Sequence, residues 1–290
     1  MKITVFGGAG FLGSHVCDKL SNNGNEVTIF DIRESSYIRN NQKMIVGDIL
    51  NASLVANAIK GAEAVFNFAG IADITEASEN AIETVKNNIL GNAIILDACV
   101  KQRVKRYVFA SSVYVYSNSG GFYRCSKQAC ELYIENYNEV FNLEYTILRY
   151  GSLYGPRADE RNAIYRFVKE ALEKQTISYF GSPNALREYI HVEDAARSSV
   201  EILHSKYANE HIILTGHQPM RVGDLLGMIS EILQKPLDLN YEQNPSKDHY
   251  EITPYSFNPK IGKKLVSPLH VDLGQGILKV IEDLHQDMDN

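Results

Sequence analysis

"KITVFGGAGFLGSHVCDKLSNNGNEVTIFD", residues 2–31, decides the fold. It opens on a short apolar run, passes through three spaced glycines into a helix-like segment, and closes on a second apolar run ending at Asp31. Gly8-x-Gly10-x-x-Gly13 and Gly7-x-x-Gly10-x-x-Gly13 are two spacings of one fingerprint. Glycines there allow a tight turn, close approach of backbone to a pyrophosphate, and close packing of helix on strand. The helix start adds N–H donors and a positive dipole end. Three glycines beside a strand can be merely a turn. Here a strand precedes them, a helix follows, and Asp31 ends the next strand, where an acid can accept from both ribose hydroxyls of an adenosine. The stretch reads as a dinucleotide site. A carboxylate at Asp31 repels a 2′-phosphate and favours NAD, with Arg33 and Arg39 nearby as the opposing consideration.

The same alternation continues to residue 150. Apolar runs at 2–6, 26–30, 43–46, 64–69, 106–110 and 144–150 are near-continuous, as strands buried on both faces require. Helix-like segments at 12–22, 52–60, 80–102 and 123–140 separate them. The expected fold is α/β, a Rossmann-type doubly wound parallel sheet. Beyond residue 150 come helices near 162–174, 221–234 and 273–287 and a strand-to-helix segment at 187–203. The division expected is a cofactor domain over 1–150, with 187–205 packing back onto it, and a smaller α/β substrate-binding cap over 151–290.

Composition narrows the classes. A chain of 290 residues with 44% hydrophobic content can bury a large core, and a net charge of -6 gives no reason to expect nucleic acid or acidic membranes as partners. No apolar run reaches the roughly 18 residues that span a bilayer. Cys17, Cys99, Cys125 and Cys130 show no Cys-x-x-Cys spacing, which points to a reduced, cytoplasmic protein. The Cys125/Cys130 pair is expected to be buried. No metal-ligand spacing occurs.

"SSVYVYSNSGGFYRCSK", 111–127, carries the chemistry. The strand before it delivers Ser112 to the crevice where doubly wound folds bind ligands. Tyr123 and Lys127, four apart on the next helix, share a face. A nearby ammonium favours tyrosinate, so Tyr123 can take a proton from a hydroxyl. Asp48, after the third strand, either caps the helix beginning near Asn51 or holds the adenine amino group.

These segments, with "GDI" (47–49), "FAG" (68–70), "NILG" (88–91), "LRYGSLYGPR" (148–157) and "REYIHVEDAA" (187–196), resemble the extended short-chain dehydrogenase/reductases of nucleotide-sugar metabolism. The resemblance implies NAD held by Gly7, Gly10, Phe11, Leu12, Gly13, Asp31, Asp48, Ile49, Phe68, Ala69, Gly70, Asn88, Tyr123 and Lys127. It implies Ser112, Tyr123 and Lys127 as catalytic residues, and a nucleotide sugar bound by Ser112, Ser152, Arg187 and Lys247. Dehydratases of the family carry Asp-Glu after the Ser or Thr and decarboxylases a Glu at the second place; Val113 and Tyr114 stand here. What is left resembles a UDP-glucose 4-epimerase-like enzyme acting on a UDP-hexose or UDP-N-acetylhexosamine. An NAD(P)H-dependent 4-keto-sugar reductase and a non-catalytic nucleotide-binding scaffold are the alternatives. Three features depart from the family: Ser152 replaces an Asn, Lys247 is the nearest candidate for a second diphosphate cation, and Ser112 and Tyr123 stand only eleven positions apart. Relatives pair the helices 80–102 and 123–140 across a two-fold axis, so a homodimer is expected.

Overall fold

The computed structural model describes residues 1–234 and 236–242. Lys247 and the helix expected near 273–287 lie outside them. The first part runs β1 (Lys2–Phe6), α1 (Phe11–Asn22), β2 (Glu26–Asp31), β3 (Gln42–Val46), α2 (Ala52–Ile59) and β4 (Ala64–Asn67). It continues with α3 (Ile74–Glu79), α4 (Ala81–Thr84), a π-helical turn (Val85–Leu90), α5 (Gly91–Lys101), β5 (Arg106–Ser112), a 3₁₀ turn (Val113–Tyr116), α6 (Gly121–Phe141) and β6 (Glu144–Tyr150). The second part follows as β7 (Ser152–Tyr154), α7 (Ala163–Lys174), β8 (Thr176–Phe180), β9 (Leu186–Arg187), β10 (Tyr189–His191), α8 (Val192–Glu201), β11 (Glu210–Leu214), β12 (Met220–Arg221), α9 (Val222–Leu233) and β13 (Asp238–Glu242).

Seven strands form one parallel sheet in the order β11-β6-β5-β4-β1-β2-β3. Chain order reverses between β1 and β4, and doubly wound sheets bind ligands in the crevice beyond such a point. The central strands bury nearly every residue, which explains their unbroken apolar runs. One core lies between the sheet and α2, α5 and α6, with Phe6, Tyr107, Phe109 and Ile134 among its fully covered side chains. The other face packs against α1 and α8, through Val16, Leu20, Ala195 and Val200. A third, smaller core joins α7, β8 and α9 around Phe167, Ile177 and Leu226.

The segment expected as one helix over 80–102 is α4, a π turn and α5. The apolar pattern runs through all three, and periodicity alone does not reveal a one-residue change of hydrogen-bond spacing. Elements not anticipated include α3, which Asp73 caps by accepting from the Glu76 N–H at 2.8 Å, the short strands β7 and β8, and β11, which adds to the main sheet beside β6. Cys125 is exposed while Cys99 and Cys130 are buried, because positions five apart face different sides of α6.

Candidate active site

The loops after β1 and β4 meet backbone to backbone. A Cβ on Gly7, whose φ is +74°, would lie 2.6 Å from the Ala69 nitrogen and the Phe68 carbonyl carbon. A Cβ on Gly13 would lie 2.2 Å from the Gly7 oxygen. Gly10 stands at the N-cap of α1 and no side chain caps the helix there, so no side chain takes up its first-turn N–H groups. Phe11 and Leu12 form its first turn. Asp31 reaches across from β2, and its Oδ2 accepts from the Ala9 N–H at 3.0 Å. Arg39 is committed elsewhere: its Nε lies 2.8 Å from Asp18 Oδ1 and its Nη1 donates to Asn22 Oδ1 at 2.8 Å.

Asn67, near the end of β4, is buried; its Nδ2 donates to the Tyr107 hydroxyl at 2.9 Å and its Oδ1 accepts from the Ala69 N–H at 3.0 Å. This residue shapes the turn that carries Phe68, Ala69 and Gly70, and the sequence reading missed it. A lone Asn inside "AVFNFAG" was the available signal. Gly70 has φ +129°, and a Cβ there would meet Asn88 Oδ1 at 2.5 Å. Asn88, in the π turn, accepts from the Ile71 N–H at 2.7 Å and donates to the Ile71 carbonyl at 3.0 Å and Ser126 Oγ at 2.8 Å. It thereby fastens the β4 loop to α6. Asp48 is exposed, and its carboxylate accepts from the Leu50 N–H at 2.8 Å. Capping of α2 falls to Asn51, whose side chain accepts from the Leu54 N–H at 3.1 Å. Ile49 is buried in the core against Gly91.

Ser112, Tyr123 and Lys127 are all buried. Ser112 ends β5, and its Oγ accepts from the Tyr114 N–H at 3.3 Å. The Tyr114 ring packs edge-on to Tyr123, centroids 6.2 Å apart, and so links the serine to the tyrosine. Lys127 Nζ donates to the Ala110 carbonyl at 2.9 Å and lies 4.8 Å from the Phe109 ring centroid and 5.7 Å from that of Tyr123. Burial pushes the Lys127 ammonium below the ordinary lysine value, partly offset by Cys130 and Glu131. The short connection closes because Gly120 and Gly121 both take positive φ, +98° and +48°, and reverse the chain into α6. Tyr116 turns away from this group to bond Arg149.

In the second part, Ser152 and Tyr189 pair in the β7/β10 ribbon, and the Ser152 N–H donates to the Glu188 carbonyl at 3.0 Å. Arg187, buried, stands on β9, and its Nη1 donates to the Leu186 carbonyl at 2.8 Å. His191 caps α8, its Nδ1 accepting from the Glu193 N–H at 3.4 Å.

Residues 3–215 match the model of the NAD dependent epimerase/dehydratase family. The chain belongs to that family. A Methanocaldococcus jannaschii protein, provisionally named a UDP-glucose 4-epimerase, is 28% identical over 96% of this chain and 97% of its own. A UDP-N-acetyl-alpha-D-glucosaminuronate decarboxylase of Bacillus cytotoxicus is 28% identical over 73% of this chain and 74% of its own. Among solved structures, the UDP-N-acetylglucosamine 4-epimerase of Methanobrevibacter ruminantium, in complex with UDP-N-acetylmuramic acid, superposes with a TM-score of 0.80 at 26% identity, covering 87% of this chain and 88% of that one. The cofactor of this NAD-dependent sugar-nucleotide family is NAD, and the residues of this site fit it: a Cβ-free glycine cradle, an uncapped helix start and a carboxylate at the end of β2. Among the described residues no helix is long and apolar enough to cross a membrane, and no cluster of His, Cys, Asp or Glu could hold a metal ion.

Proposed function

We propose that this protein is a nucleotide-sugar 4-epimerase acting on a UDP-hexose or UDP-N-acetylhexosamine. One observation carries the reading. The positions beside Ser112 that would supply an extra acid or base hold Val113, fully buried, and Tyr114, packed edge-on to Tyr123. Glu131, the buried carboxylate on α6, is committed to Arg149. A site with one proton-transfer group and no second acid suits reversible oxidation at a single carbon and not elimination.

Bound NAD supplies the reversible two-electron oxidation at C4. Tyr123, as phenolate, takes the proton of the C4 hydroxyl and returns it once the keto sugar has presented its other face, so nothing is consumed overall. Lys127, a desolvated cation, favours that phenolate more strongly than a solvated one would. Ser112 hydrogen-bonds the same oxygen. The cofactor residues in this reading are those of the glycine loop, Asp31, Asp48, Ile49, Phe68, Ala69, Gly70 and Asn88. Arg187 grips the diphosphate and Ser152 borders it; residues 1–150 hold NAD, 187–205 pack back onto them, and 151–290 form the substrate-binding region. The setting is the cytoplasm.

The assembly in this reading is a homodimer. Phe122, Leu132, Tyr133 and Val140 on α6, Ile82 on α4, and Val85 and Leu90 in the π turn are exposed apolar side chains. A second copy covers them; light scattering that finds only monomer at working concentration ends that part.

The test is a panel of UDP-hexoses and UDP-N-acetylhexosamines, incubated with NAD-loaded protein and no other reagent. Interconversion of C4 epimers is expected. If every sugar returns unchanged while a 4-keto sugar consumes NADH stoichiometrically, the protein is a reductase and the reading is wrong.

A further inference from the structure

Tyr123, Lys127 and Glu131 stand at steps of four along α6, and all three are buried. The first two belong to the site just described. Glu131 does something else. Its Oε1 accepts from Ser111 Oγ at 2.5 Å and from Arg149 Nε at 3.1 Å, and its Oε2 accepts from Arg149 Nη2 at 2.5 Å. Arg149 lies on β6, directly opposite Ser111 of β5 in the sheet register. Its Nη1 donates to the Tyr116 hydroxyl, and its guanidinium carbon sits 4.7 Å from the Tyr116 ring centroid. Nη2 also donates to His211 Nδ1 at 3.0 Å, which joins β11 to the group.

Ser112 therefore lies between two anchored neighbours. Ser111 before it is tied to the carboxylate, and Tyr116, ending the turn after it, is tied to the guanidinium. The helix that carries Tyr123 and Lys127 is held by the same pair.

The side chains of the pair are only 8% and 13% exposed. An ion pair drawn this far from water loses much of its attraction to desolvation, and apolar side chains of similar volume often hold a fold as well. A two-pronged fork does what an apolar contact does not: it fixes both the rotation and the slide of α6 against β5 and β6. Proton transfer is sensitive to that placement, since a shift of about 1 Å can cost about 10²-fold in rate.

We propose that Glu131 and Arg149 are a positioning pair for turnover, setting Tyr123 and Lys127 on α6 against Ser112 at the end of β5. Neither residue touches the reacting atoms. The proposal rests on the 4-epimerase reading for its assay.

The test compares kcat, expressed per molecule of bound NAD, with KM and the melting temperature. In the double variant Glu131→Met/Arg149→Met the buried charges leave together. KM should stay near wild type while kcat falls about 10²-fold, and the melting temperature should drop only by the cost of leaving Ser111 Oγ without its acceptor. Glu131→Gln, which keeps one acceptor oxygen for Ser111 Oγ and Arg149 Nε but sets an amide N–H against Arg149 Nη2, should recover only part of that loss. Ser111→Ala should lower kcat about fivefold, the worth of one hydrogen bond, at unchanged KM. Wild-type kcat in the double variant overturns the proposal, and so does a loss that vanishes once activity is counted per bound NAD. If the double variant does not fold, Ser111→Ala and Tyr116→Phe decide; wild-type kcat in both overturns it. A wild-type protein that converts no nucleotide sugar sinks the epimerase reading instead, and the same kcat comparison is then run on reduction of a 4-keto sugar.

Discussion

Two regions of the crevice are built on opposite principles. After β1 and β4 the site is made of backbone: Gly7, Gly13, Phe68 and Ala69 approach so closely that no added Cβ fits at either glycine. After β5 it is made of side chains: Ser112, Tyr114, Tyr123 and Lys127 lie beside a buried network of Ser111, Glu131, Arg149 and Tyr116. The first region specifies shape and is indifferent to which functional groups surround it. The second specifies chemistry, and a change that preserves its shape can still abolish its action. Substitutions that separate shape from chemistry therefore test the comparison.

The largest effect is expected where chemistry is removed at constant shape. Tyr123→Phe keeps the ring against Tyr114 and Ile74 but deletes the phenol oxygen. Turnover should fall about 10²–10⁴-fold with fold and NAD content intact. Lys127→Ala should lower both rate and NAD retention, since it also removes the donor to the Ala110 carbonyl. Steady-state kinetics beside the absorbance of released NAD would read both, and near-wild-type turnover for Tyr123→Phe would remove it from the mechanism.

The converse is a shape change with no chemistry lost. Gly13→Ala adds one methyl group 2.2 Å from the Gly7 oxygen. Overpacking of a tight interior costs about 1–3 kcal/mol, and a backbone neighbour cannot yield as a side chain can, so the upper end is expected. Helix α1 should move away from the β1 loop at Gly7 and Gly8, lowering NAD affinity and melting temperature together. Titration of NAD into stripped protein checks it; unchanged affinity would mean the cradle is looser than its distances imply.

Asn88 joins the two regions, with Ile71 on one side and Ser126 of α6 on the other. Asn88→Ala leaves the Ile71 N–H and carbonyl without these partners in a part-buried place. A buried polar group left unsatisfied costs about 1–3 kcal/mol, so a clear drop in melting temperature should accompany weaker NAD binding. If only one of the two properties changes, the regions are less connected than the hydrogen bonds suggest.

The two regions also differed in how far they could be read from sequence. The close approach at Gly7 and Gly13 was legible because it admits one residue type at one spacing. The parallel sheet was legible because strands buried on both faces leave unbroken apolar runs. Asp48 left two readings open, and only the structure shows Asn51 capping α2. Glu131 and Arg149 could not be paired in advance. One is a charged letter in an amphipathic helix and the other in a strand, and their meeting depends on the β5/β6 register. Arg187 and Ser152 sit on strands of two and three residues, too short to leave a periodic signal.

The smallest effect expected is a pH dependence at the edge of the buried network. His211 on β11 accepts from Arg149 at Nδ1, while its Nε2 lies 3.1 Å from Glu135 Oε1. Burial, then the positive charge of Arg149, lowers its pKa, and Glu131, Glu135 and Glu210 only partly offset this. The folded state thus favours neutral His211, and the unfolded chain takes up the proton more readily. Its contribution to stability is complete above the unfolded value of about 6.5 and is lost as pH falls through that value towards the lower folded one. Protonated Nδ1 would also set a donor against the Arg149 donor. His15, lowered mainly by burial, acts in the same direction, so the wild-type melting temperature should decline from about pH 7 to about pH 5. His211→Gln keeps an acceptor for Arg149 and does not titrate, so its decline should be shallower, with the remainder due to His15 and the carboxylates. Parallel declines in the two proteins would show that His211 is already free to ionise in the fold, and that the charge pair beside it does not depend on its neutrality.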